Sequence, residues 1–193
     1  MDSEDYLTRL LPHRLDALAI AVLMLRFRLK WEEPKSMQIL VDGELQFEGT
    51  TTMFTNPALE VGVLHGRALL EFIGLKASNG KLIQLSPKRD RKEDDAAIER
   101  MLGPDGPLSL VTPEDADAIL PGDEGTAKRL LADLITAAHK GVAHSSATYF
   151  ANPMDATELM LALQLTQRLV ERFVYLPLGR QRPPIPLDAR ARE

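Results

Sequence analysis

The stretch Asn56 to Gly80, NPALEVGVLHGRALLEFIGLKASNG, decides how the chain is read. Asn56-Pro57 pairs a helix cap with a proline suited to the first helical turn, and Glu60 favours the positive end of the helix dipole. The apolar period then predicts one helix to about Lys76, with Val61, Leu64, Ala68, Phe72 and Leu75 as its core stripe. Ser78-Asn79-Gly80 reads as its stop. Gly62 and Gly66 fall inside the period, where each costs about 1 kcal/mol against alanine. Such glycines mark either close approach of another helix or room for a ligand.

Outward from this stretch the same period recurs. Between Asp5 and Trp31, Leu11, Leu15, Leu18, Val22, Leu25 and Leu29 form a helical stripe, with Pro12 near its start. Met37 to Glu48 differs, since two short runs of β-formers flank Asp42-Gly43, a hairpin-turn dipeptide. Lys81 to Asp95 reads as a solvated loop, and Gly103-Pro104-Asp105-Gly106-Pro107 as a strong break. Thr112-Pro113-Glu114-Asp115 begins another helix, a long one follows from Gly125, and Asn152-Pro153 caps a last one ending near Tyr175. The expected architecture is an all-α bundle of about four main helices with a small β-hairpin near residues 37–48. Residues 1–176 make a single domain, and the proline- and arginine-rich residues 177–193 make a mobile tail.

Composition narrows the function classes. A formal charge of -5 argues against holding duplex DNA by phosphate neutralisation. With no cysteine, thiolate metal sites, disulfides and cysteine nucleophiles are excluded, and a cytoplasmic setting is expected. The apolar window Leu15 to Leu25 is too short to span a bilayer, so no membrane partner is expected. Aromatic residues at 5% leave little for base-stacking platforms.

The chemistry-bearing residues lie on two helices. In TAAHKGVAHSSATY, Thr136 to Tyr149, Lys140 and His144 are four apart and share a face, whereas His139 points about 140° from His144. That spacing, with no acid nearby, offers no metal pair, so neither metal nor cofactor is expected. In the opening helix, His65 lies on the apolar side and suits a core histidine. Arg67 shares the other side with Glu71, which predicts an ion pair at four-residue spacing. Neither a phosphate-binding glycine loop nor a nucleophile elbow occurs in the sequence.

The segments LHGRALLEF and AAHKGVAHSSATY resemble a group of small bacterial helical proteins, the HEPN-like bundles, over roughly residues 56 to 176. The resemblance implies a helical bundle that forms a homodimer, of the kind found among toxin and phage-defence proteins, several of them metal-independent ribonucleases. Active members carry an arginine, then four to six residues, then a histidine. Here His144 matches the histidine, and no arginine stands at the required distance. The resemblance therefore implies a non-catalytic or regulatory dimer binding RNA or a nucleotide through Arg67, Lys140, Glu71, His65 and His144. The alternative it implies is a ribonuclease with His144 as the catalytic group and Lys140 or Arg67 as its cation.

Overall fold

The computed structural model describes residues 3–31, 33–139 and 154–184. Helix α1 (Leu11–Lys30) follows a single turn at Ser3–Asp5 and a π-turn at Tyr6–Leu10. Pro12 accounts for the wide turn, because it has no N–H to give to the Thr8 carbonyl and the ladder must open ahead of it. Leu11, Leu15, Leu18, Val22 and Leu25 are buried as the stripe predicts, while Leu29 is 51% exposed beyond the edge of the core.

A hairpin comes next, β1 (Ser36–Val41) paired antiparallel with β2 (Glu44–Thr50). Asp42 and Gly43 both take positive φ, 54° and 86°, as a tight turn matching the strand twist requires. The base of the hairpin is tied by Thr51 N–H donating to the Lys35 carbonyl at 2.9 Å and by Lys35 N–H donating to Thr51 Oγ1 at 3.1 Å.

Helix α2 (Thr52–Ile73) begins one turn earlier than Asn56-Pro57 suggests, with Pro57 inside it. It also ends earlier. Gly74 caps it in the left-handed region at φ 102°, and β3 (Leu75–Ser78) then pairs with β4 (Lys81–Gln84) around Asn79 and Gly80, at φ 50° and 73°. What reads as a helix end and a solvated loop is a second hairpin that buries Leu75 and Leu82. A third, minimal one joins β5 (Leu102–Gly103) to β6 (Gly106–Pro107). The all-α expectation is therefore corrected: the fold is mixed α/β, the described residues being 57% helical with about 15% strand. Among the described residues the strands form three separate two-stranded antiparallel sheets.

Helix α3 (Pro113–Asp117) starts with a reciprocal cap, Asp115 N–H donating to Thr112 Oγ1 at 3.0 Å and Thr112 N–H donating to the Asp115 carboxylate at 2.9 Å. Helix α4 (Thr126–Ala137) follows, and α5 (Ala156–Val170) is capped by Asp155, its carboxylate accepting from the N–H groups of Thr157 and Glu158, while Asn152-Pro153, expected as a cap, lies outside the described residues. Helices α1, α2, α4 and α5 enclose one hydrophobic cluster, with β3 and β4 against α4.

The core stripe of α2 is also corrected. Val61 and Leu64 are 44% and 40% exposed, and Leu59, Val63, Leu69, Leu70 and Ile73 are buried instead. The glycines explain the rotation. A Cβ on Gly62 would lie 2.3 Å from the Cβ of Ala21, so the Ala21 methyl of α1 packs directly on the backbone of α2 there, and Gly66 faces Leu134 and Leu163. Close packing wanted the glycine side inward. No helix among the described residues is long and apolar enough to cross a membrane.

Candidate anion-binding cleft

The amino-terminal end of α1 and the second half of α2 border a cleft of about 580 Å³, closed on its other side by residues 85–96. Tyr6 and Phe72 form its apolar part, their rings 4.8 Å apart. Burial pushes the Tyr6 phenol up to about 12, so it stays protonated at neutral pH.

Four cations line the cleft: Arg14, Arg67, Lys76 and Arg91. Arg67 Nε donates to Glu71 Oε1 at 2.8 Å, the pair that four-residue spacing on a helix predicts. Lys76 Nζ stands 2.6 Å from Asp90 Oδ2. The Lys76 ammonium, helped by the Ser86 N–H, holds the Asp90 carboxyl down at about 2. The Arg91 side chain is 7% exposed, and its guanidinium donates to the Phe72 carbonyl at 3.0 Å and to Glu99 at 3.3 Å and 3.4 Å.

Arg14 is different. Its Nη1 lies 3.2 Å from His65 Nδ1, its Nε is buried with no hydrogen-bond partner, and among the described residues no carboxylate comes within ion-pair distance of it. His65 is half-buried on α2 and faces α1, where His13 meets it edge to face with ring centroids 5.5 Å apart. Burial first, then the positive charges of Arg14 and His13, lower the His65 pKa below 6.5.

The comparisons with known proteins leave the site to its own chemistry. No family model, curated protein or solved structure matches the chain.

Of the residues singled out in the sequence, Arg67 and Glu71 line the cleft, and His65 stands one residue removed, reaching it through Arg14. Lys140 and His144 lie outside the described residues. His139 is exposed just past the end of α4. Sequence reasoning missed Arg14 and His13, which come from a helix 51 positions away from the His65 they meet. The available signal was His13-Arg14 at the start of an otherwise apolar helix. Among the described residues no group of three or more histidine or acidic side chains is arranged to hold a metal ion. Four carboxylates, Glu71, Asp90, Asp94 and Asp95, line the cleft beside its four cations, and Arg14 alone of those cations has no carboxylate within ion-pair distance among the described residues, which makes its donors the place where an anion is held.

Proposed function

We propose that the chain is a HEPN-like helical protein that acts as a homodimer in a binding or regulatory role, taking RNA or a nucleotide by its phosphate. The observation that carries this reading is Arg14, a part-buried guanidinium in the cleft with no carboxylate to neutralise it. A buried cation without a counter-ion is costly, and a phosphate oxygen that accepts from it removes the cost. Arg67, 26% exposed and already oriented by Glu71, supplies a second fork of donors in the same cleft.

The test is a titration of fluorescently labelled single-stranded RNA with the full chain, followed by anisotropy in the presence of a chelator. Binding is expected, weaker at higher salt, and reduced about tenfold or more by Arg14→Ala and by Arg67→Ala, as loss of a charge-assisted hydrogen bond implies. Absence of binding by RNA and by nucleotides, or binding indifferent to both substitutions, overturns the reading. Cleavage of the RNA that disappears in His144→Ala would replace it with the ribonuclease alternative.

A further inference from the structure

Threonines inside the helices of this chain turn their hydroxyls back on the backbone. Thr8, Thr136 and Thr166 each donate to the carbonyl four residues earlier, at 2.7 Å, 2.8 Å and 2.8 Å. Thr55, near the start of α2, does not. It is 6% exposed and lines a second pocket of about 270 Å³, and among the described residues its hydroxyl has no hydrogen-bond partner. A buried hydroxyl left in that state costs stability unless a partner reaches it from the pocket.

Two further features make the same pocket positive. Its wall includes the amino-terminal end of the 22-residue helix α2, and Thr51 there makes no side-chain cap, its Oγ1 accepting from the Lys35 N–H instead. The positive end of the helix dipole is therefore left to an acceptor from outside. Arg28 reaches the pocket from the last turn of α1, exposed and with no carboxylate within ion-pair distance among the described residues. The acid of the lining, Glu33, is 3.5 Å from the Lys35 ammonium. One unmatched charge remains, and it is positive.

The other walls are apolar. Trp31 stacks one face of its indole on Phe27, with ring centroids 5.2 Å apart and planes within 6°, and it lines the pocket beside Pro34. A cavity of this size lies below the roughly 300–1,000 Å³ of clefts that take drug-sized molecules, so its occupant is a single ring or a short chain.

We propose that this pocket binds a small monocarboxylate with an apolar body, an aromatic acid of the benzoate or phenylacetate kind. Its carboxylate accepts from Arg28 and Thr55 at the positive end of α2, and its ring lies against Trp31 and Pro34. The pocket shares no lining residue with the cleft, so the proposal stands apart from the phosphate-binding reading.

Trp31 is the single tryptophan of the chain, and its emission therefore reports on this pocket. Titration of the full chain with benzoate and with phenylacetate should give a saturable change with a dissociation constant of about 1 mM or below. Saturation-transfer NMR on the ligand ring protons runs beside it and detects a bound acid that leaves the indole emission unchanged. Arg28→Gln should weaken binding about tenfold or more, and Thr55→Val, which keeps the shape and removes the hydroxyl, about fivefold. Thr55→Ser should stay within about threefold of the wild type. Benzamide, the same ring without the charge, should bind about tenfold more weakly than benzoate, and phenyl phosphate no better than benzoate because only one cation is unmatched. Absence of both signals with both acids, benzamide equal to benzoate, phenyl phosphate tighter than benzoate, or wild-type binding by Arg28→Gln and Thr55→Val overturns the proposal. None of these outcomes alters what is expected of RNA at Arg14 and Arg67.

Discussion

Gly62 and Gly66 stand four residues apart on α2, and the two should answer substitution differently. Helix propensity alone favours alanine at either by about 1 kcal/mol. At Gly62 the new Cβ would meet the Cβ of Ala21 at 2.3 Å and the Ala17 carbonyl at 3.5 Å, groups that cannot swing aside. Overpacking of that kind costs about 1–3 kcal/mol, so Gly62→Ala should lower the urea midpoint, and Ala21→Gly in the same chain should recover part of the loss. At Gly66 the neighbours are the Cδ2 atoms of Leu134 and Leu163 at 3.1 Å and 3.3 Å, which can rotate away. Gly66→Ala should then be neutral to within about 1 kcal/mol. His65 makes a separate prediction at this scale. Its folded pKa lies below the ordinary 6.5, so the unfolded chain binds more protons in that window. The stability it contributes is present above pH 6.5 and falls away as pH drops from there toward the folded value. Urea unfolding between pH 7.5 and 5 should show that decline, and His65→Gln should flatten it. An unchanged slope would mean that another group titrates there.

Elements were legible where a side-chain period agreed with burial, and illegible where a backbone conformation decided. The stripe of α1 from Leu11 to Leu25 was readable because the apolar residues recur at helical spacing on the side that is buried. The turn at Asp42-Gly43 was readable because two residues with positive φ suit that dipeptide. The stripe of α2 misled, since Val61 and Leu64 are as apolar as Leu59 and Val63, and only the glycines record which side another helix approaches. Asn79-Gly80 misled for another reason: the dipeptide serves equally as a helix stop and as a hairpin turn, and strands of four residues leave too short an alternation to choose. The Arg67 to Glu71 pair of the site was local and readable, but the Arg14 to His65 contact joins two helices and exists only once Gly62 lets them close. Gly74 is where the two elements are divided. Its φ of 102° and a Leu110 Cδ2 only 2.6 Å from where a Cβ would stand make Gly74→Ala a test of the corrected boundary. Left-handed strain of about 1–2 kcal/mol should appear as a lowered melting temperature. Had α2 continued to Lys76, the same substitution would stabilise the chain.

At the scale of the whole molecule, the described start of the arginine-rich end segment is held in place. Leu178 packs on the core and Arg180 grips Glu4 through two bonds of 2.9 Å and 2.7 Å. That pair is exposed and contributes little to stability, so it leaves the proposed dimer as the larger question. The contact of Gly62 with Ala21 divides the α1/α2 pair into two sides. On one side Val63 and Val22 are buried at 5% and 7%; on the other Val61 and Ile20 are exposed at 44% and 37%. Leu64, Phe54 and Met53 extend the exposed apolar side along α2 at 40%, 41% and 55%. An apolar face of this extent marks an interaction surface, and a two-fold axis across an antiparallel helix pair lets the face cover itself. Light scattering on the eluting protein at about 50 µM should therefore give twice the chain mass of 21.4 kDa. Val61→Glu with Leu64→Glu should yield a monomer that still melts cooperatively, because both side chains point away from the core. A wild-type chain that elutes as a monomer at that concentration removes the dimer, and a double variant that remains dimeric moves the interface off this face.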